Sequence, residues 1–139
     1  MNQLHLSMPF HLQHTLESGQ FFQWERRDGG YIIQSHNRVF YIEQHNATLT
    51  FEPLYGACSK DFIRSFFRLD DDLTEIFKGW DSDALLPVVY TQFAGLRLMR
   101  QHPWECMVSF LCSAASNIPR SGNYMMPGWD SGPDTSIHW

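Results

Sequence analysis

From Phe21 to Glu52 apolar, β-branched and aromatic residues recur among polar ones in four short β-type runs: FFQWERR, YIIQSH, VFYIEQ and ATLTFE. Short polar breaks separate them, at Asp28-Gly29-Gly30, Asn37-Arg38 and His45-Asn46. Glycine accepts positive φ without a Cβ penalty, and such pairs between β-branched and aromatic runs mark hairpins. An antiparallel meander of three or four strands is predicted. Upstream, Phe10, Leu12 and Leu16 would share one strand face and His11, Gln13 and Thr15 the other, with His14 interrupting the apolar side. That spacing predicts an edge strand between Pro9 and Leu16.

After Pro53 the period changes to about 3.6. SKDFIRSFFRL places Phe62, Phe66 and Leu69 on one helical face, with Asp61 in the first turn where the helix dipole favours an anion. Asp70-Asp71-Asp72 then supplies a cap and first turn for a short helix over LTEIFKGW. From Ala84 to Met99, the positions Leu85, Leu86, Val89, Phe93 and Leu96 predict a longer helix, with Pro87 tolerated in its first turn. The last helix opens at Pro103. Trp104, Met107, Val108, Leu111, Cys112 and Ala115 form one apolar face, and Cys106 and Phe110 make the other side apolar too, so burial is expected. Pro119 ends it. From Ser121 the chain has no period, yet it carries Trp129, Trp139 and two methionines among Gly, Pro and Ser. The fold class is α+β, an antiparallel β-sheet with flanking helices.

Composition narrows the options. With 139 residues, 43% hydrophobic and 15% aromatic, the chain can build one domain and a fraction, which excludes disorder as the default. The formal net charge of −5 excludes a histone-like mode of nucleic-acid binding, which needs surplus cations to displace counterions from phosphates, although a local basic patch is compatible with it. Cys58, Cys106 and Cys112 are few and odd in number, which suits a reducing interior. The start NQLHLSMPFHLQH has neither a basic leader nor a continuous apolar core, and no stretch reaches the length of a membrane span. A soluble protein of the cytoplasm (nucleoid) or nucleus is expected, not secreted and not on a membrane.

Few residues carry a chemical motif of their own. His11 and His14 are the most ligand-like of seven histidines, but on a strand they would point to opposite faces with no matching cysteine or carboxylate, and surface histidines are the preferred reading. Asp70-Asp71-Asp72 could hold Mg²⁺, yet acidic residues before a helix ordinarily cap it. Neither a Gly-rich phosphate loop nor a G-x-S-x-G elbow is present. Cys112 lies in an apolar helix, which favours inert packing over nucleophilic work.

Two segments are more specific. Glu17-Ser18-Gly19-Gln20-Phe21-Phe22-Gln23-Trp24 resembles the S-G-Q-x-F-x-W motif of the 8-oxoguanine DNA glycosylases. The stretch from Phe93 through Gly95, Arg97, Arg100, Gln101, Pro103, Glu105 and Cys106 to Ser109-Phe110-Leu111-Cys112-Ser113 resembles the F-x-G-x-R-L-L-R-Q-x-P-x-E-C…S-F-I-C-S block of the same family. Similarity extends from about Pro9 to Arg120. It implies an N-terminal α+β domain over residues 1–100, the start of an all-helical catalytic domain over 101–120, and a tail, 121–139, outside the family pattern.

The family excises 8-oxoguanine paired with cytosine and cleaves the resulting abasic strand, so the resemblance implies double-stranded DNA containing 8-oxoguanine as partner. Gly19 matches the glycine whose carbonyl accepts the N7 hydrogen that 8-oxoguanine has and guanine lacks. Read from the residues alone, Gly19 is a turn glycine. In the segment Ala115-Ser116-Asn117-Ile118-Pro119-Arg120, Asn117 and Arg120 match the N-N-N-I-x-R signature that holds the orphaned cytosine, while Ala115 and Ser116 replace its first two asparagines. Ala115 removes a side chain credited with touching the cytosine, which puts strict discrimination of the opposite base in question. On its own terms Asn117 is equally a helix C-cap ahead of Pro119.

Family catalysis uses a lysine beyond a helix-hairpin-helix and a later aspartate. The two lysines here, Lys60 and Lys78, stand in neither motif, so no catalytic residue is assigned and no glycosylase turnover is expected. No metal or organic cofactor is implied, and a monomer is expected. Either the chain derives from a longer glycosylase by truncation or frameshift, which the aperiodic apolar tail favours, or it is a small protein that keeps the lesion-facing module. The competing classes are a non-catalytic damaged-DNA-binding or interaction module and a scaffold with no nucleic-acid role.

Overall fold

In the computed structural model, residues 1–78 and 84–115 are described. The elements in chain order are β1 (Asn2–His5), α1 (Leu12–Leu16), β2 (Trp24–Arg27), β3 (Gly30–Ser35), β4 (Arg38–His45), β5 (Thr48–Tyr55), α2 (Lys60–Phe66), α3 (Leu73–Phe77), α4 (Leu86–Gln92) and α5 (Pro103–Ala115). The strands form one antiparallel sheet in the order β1-β5-β4-β3-β2. The α+β reading therefore stands, and its four-run meander is β2 to β5.

The hairpin turns work through residues that tolerate positive φ. Asp28 and Gly29 take it between β2 and β3, His36 and Asn37 between β3 and β4, and Asn46 between β4 and β5. The second turn lies one residue earlier than the sequence pattern placed it, because Arg38 already pairs with Ser35 in the ladder. The meander gains a fifth strand, β1, which pairs with β5 in the register Leu4↔Leu49. It escaped the pattern because Leu4 is its single buried residue.

The segment between Pro9 and Leu16 is not an edge strand. It is the short helix α1, in which Leu12, Thr15 and Leu16 are buried, an i, i+3, i+4 set that a polar threonine disguised. His11 caps this helix through Nδ1, which accepts from the His14 backbone N at 3.2 Å. Instead of facing opposite ways, the rings of His11 and His14 stack with centroids 3.7 Å apart.

One face of the sheet carries Ile33, Phe40, Ile42, Leu49 and Phe51 into a core closed by α1 and α2. Ile63, Phe66 and Phe67 fill it from α2 and its C-cap, while the predicted Phe62 and Leu69 pack at its margin. The Phe66 ring meets those of Phe21, Phe40 and Phe67 edge-on, the arrangement the ring quadrupole favours. Ser59 caps α2, and Asp72 caps α3 by accepting from Thr74 N and Glu75 N, as expected of the acidic run.

The helix expected over Ala84–Met99 is shorter. α4 stops at Gln92 and none of its residues is buried. Gly95 then takes φ +89°, and Gly95, Arg97 and Met99 are buried alternately in an extended stretch. α5 begins at Pro103 as predicted, but its apolar residues are not enclosed: Trp104 is 63% exposed and Leu111 57%, while Ser109 is buried. Much of the face that its amphipathic pattern assigns to a core is turned to solvent, while the first turn of α5 is fastened to the sheet through Glu105.

Candidate lesion-facing site

The turn after α1 carries Ser18, Gly19 and Gln20. Gly19 has φ +85°, and a Cβ added there would meet nothing within 4 Å. Its requirement for glycine is conformational, since the left-handed region is costly for other residues, and the loop stands clear of the body at this point.

Both neighbours of Gly19 are tied down. Ser18 Oγ donates to Thr15 O at 2.9 Å, closing the turn back on α1. The Gln20 side chain reaches across to the extended stretch that follows Gly95. Its Nε2 donates to Arg97 O at 2.7 Å and to Thr15 O at 3.2 Å, and its Oε1 accepts from Met99 N at 2.9 Å. Gln101 Nε2 in turn donates to Gln20 O. A single amide thus replaces the partners that a neighbouring strand would supply.

Further bonds fix the same junction. Arg97 N donates to Thr15 Oγ1 at 3.3 Å, and His11 N donates to Gly95 O at 2.9 Å. At Gly95 a Cβ would lie 2.8 Å from His11 N and 2.9 Å from Phe10 C, so glycine is required there by close backbone approach as well as by φ. The Arg97 side chain is 3% exposed, and its Nη1 donates to Arg68 O at 2.7 Å and Asp71 O at 2.9 Å. Burial lowers its pKa, and Asp71 works in the opposite direction.

On the other side of the turn, Glu17 accepts from Arg26 Nη2 at 2.5 Å and from Tyr31 Oη at 3.0 Å. Burial raises the Tyr31 pKa, so the phenol stays protonated and able to donate. A cleft of about 620 Å³ opens beside this group, lined among others by His11, Gln13, Arg26, Tyr31 and Gln44.

The two segments singled out in the sequence, Glu17–Trp24 and Phe93–Cys106, are therefore one structural unit. The sequence reading marked Gly19 but not the residues that hold its loop, Thr15, Gln20, Arg97 and Gln101. Gln20, Arg97 and Gln101 were legible as polar letters of the two motifs, whereas Thr15 gave no signal. Asn117 and Arg120 lie outside the described residues. Lys60 is exposed at the start of α2, and Lys78 is engaged by Glu75. Among the described residues no three His, Cys, Asp or Glu side chains come together as a metal site, and no helix is long and apolar enough to cross a membrane.

Comparison with known proteins gives this geometry a context. The family model for the 8-oxoguanine DNA glycosylase N-terminal domain matches residues 4–107. The N-glycosylase/DNA lyase of Saccharomyces cerevisiae is 30% identical over 125 residues, which cover 78% of this chain and 33% of the yeast protein. Among solved structures, MBOgg1 in complex with a low affinity DNA ligand superposes with a TM-score of 0.73 at 30% identity, covering 87% of this chain and 42% of that one. The apo-form of the Clostridium acetobutylicum 8-oxoguanine glycosylase/lyase superposes with a TM-score of 0.74 at 28% identity, covering 84% and 41% respectively. The chain thus spans about a third of the yeast relative.

Proposed function

This chain belongs to the 8-oxoguanine DNA glycosylase family through its N-terminal domain, and on that premise we propose that it reads oxidised guanine in duplex DNA through the Gly19 loop. The observation that carries the reading is the exposed Gly19 on a turn whose two flanking residues are anchored. A fixed carbonyl gains a hydrogen bond from the N7–H of 8-oxoguanine and meets a lone pair in guanine. The difference is on the order of 1–3 kcal/mol. The base must leave the stack to reach such an acceptor.

Asn117 and Arg120 would hold the cytosine left behind, since its exposed edge offers both a donor and acceptors. With Ala115 in place of an asparagine, the opposite base is read loosely. The relatives' excision and strand cleavage need a positioned nucleophile, and neither Lys60 nor Lys78 stands in the family motif. These 139 residues therefore supply recognition without turnover, wherever in the cell DNA is held.

Fluorescence anisotropy with duplexes bearing 8-oxoguanine or guanine opposite cytosine tests the reading, across a salt series. Tighter binding of the lesion duplex is expected, with no covalent adduct on borohydride trapping. Equal affinity for both duplexes overturns the lesion reading, and a trapped adduct overturns the absence of turnover. A protein-interaction module is the second reading, favoured by the exposed Trp104, Met107 and Leu111 on α5. It gains ground if neither duplex binds at low salt.

A further inference from the structure

We infer that Gln20 is the positioning residue that gives the Gly19 carbonyl its selectivity, by holding the turn in register with the Arg97–Met99 stretch. This rests on the reading of Gly19 as the lesion-facing acceptor. A backbone carbonyl favours N7–H over a bare N7 in full only if its direction is fixed, because a mobile carbonyl must be ordered against N7–H on binding and so gives up part of the hydrogen bond that selects the lesion. The carbonyl of Gly19 belongs to the peptide unit that ends at Gln20 N. Its direction is therefore set by the torsions of Gly19 and the placement of Gln20.

Glycine by itself leaves those torsions loose. Among the described residues no hydrogen bond to another residue engages Gly19, so its order comes from its neighbours. Gln20 is held at three points, which tie it to α1 and to the Arg97–Gln101 stretch. Its amide nitrogen bonds the carbonyls of Thr15 and Arg97, its amide oxygen takes the Met99 N–H, and its own carbonyl takes the Gln101 side chain. The acceptors on the far side are rigid in turn, since Arg97 is buried and anchored by its guanidinium to Arg68 O and Asp71 O. Neither an acid nor a shorter amide reproduces this set. Glutamate would set a carboxylate against two carbonyl oxygens, and asparagine falls one methylene short.

The test compares wild type, Gln20→Glu and Gln101→Ala for affinity toward the 8-oxoguanine and guanine duplexes opposite cytosine. Amide hydrogen exchange at Met99 and thermal midpoints are measured on the same samples. Gln20→Glu is expected to lower the preference for the lesion by about tenfold, the worth of roughly one hydrogen bond, while affinity for the guanine duplex changes less than about twofold. Gln101→Ala removes only the bond to Gln20 O and is expected to lower the preference by about threefold. It serves as the deciding variant if Gln20→Glu does not fold. Preference retained in a folded variant whose Met99 amide exchanges faster overturns the inference and leaves the Gly19 reading standing. Equal losses toward both duplexes, with a lowered midpoint, mean a merely structural role and also overturn it. Absence of any preference in wild type overturns the Gly19 reading itself, and this inference with it.

Discussion

Glu105, in the first turn of α5, accepts a hydrogen bond from Ser35 Oγ at the end of β3, at 2.6 Å. Its second carboxylate oxygen takes the backbone N–H of His36 at 3.0 Å. One side chain thus fastens the last helix to the β3–β4 turn, whose His36 and Asn37 both hold positive φ. The carboxylate satisfies a serine that is completely buried, and hydrogen bonds to an ionised acceptor are stronger than neutral ones.

Removing this carboxylate leaves the His36 N–H without its acceptor and the buried Ser35 hydroxyl with His36 Nδ1, 2.9 Å away, as its remaining partner. Glu105→Ala is therefore expected to destabilise the folded chain by about 1–3 kcal/mol. Glu105→Gln keeps one acceptor oxygen and should lose less. Urea denaturation followed by tryptophan fluorescence reads both. A midpoint unchanged in Glu105→Ala would mean that the latch contributes nothing net to stability.

Acid should weaken the fold near neutrality through two histidines. His11 caps α1 with Nδ1 as acceptor, which requires that nitrogen unprotonated. Burial, reinforced by the stacked His14, holds its pKa below the ordinary 6.5. His36 is also lowered, by burial first, with Glu105 opposing and His102 and Arg38 adding to the shift. In both cases the unfolded chain binds the proton more readily. The stability they contribute is full above the unfolded value of 6.5 and is lost as pH falls below it toward the folded values. Asparagine caps helices well and tolerates positive φ, so His11→Asn with His36→Asn should flatten the decline in thermal midpoint between about pH 6.5 and 5. A double variant with the wild-type slope would assign the acid sensitivity to other groups.

How much of this was legible from sequence follows from what each side chain bonds to. The meander could be read because its strands are runs of β-branched and aromatic residues and its turns use Asp28, Gly29, Asn37 and Asn46, residues whose local chemistry announces them. The region around α1 could not, because Thr15 is fully buried as a hydrogen-bonding partner of Arg97 N, and a polar letter on a buried face breaks the apolar count. The same cause shortened the helix expected over Ala84–Met99. Its Arg97 spends its backbone and guanidinium on other segments, a tertiary demand that outweighs local helical spacing. α5 differs: its apolar pattern was read correctly as a pattern, but what a face packs against is not written in its period. Within the site, Gly19 was visible only through resemblance, whereas Gln20, Arg97 and Gln101 could acquire roles only once the two distant segments met.

The two glycines of that junction should respond differently to the same change. Gly19 and Gly95 have nearly equal φ, +85° and +89°, so alanine carries a similar backbone penalty at each, about 1–2 kcal/mol. Space then separates them. At Gly19 the added methyl meets nothing within 4 Å, while at Gly95 it falls within 3.0 Å of backbone atoms of Phe10 and His11, which cannot swing aside as a side chain can. Relieving that clash requires moving the Gly95 carbonyl away from His11 N and loosening the seam between α1 and the extended stretch. Gly19→Ala should therefore remain folded with a modest fall in urea midpoint, and Gly95→Ala should lose at least about 2 kcal/mol more. Equal losses in the two variants would show that backbone conformation alone, and not close approach, explains why both positions are glycine.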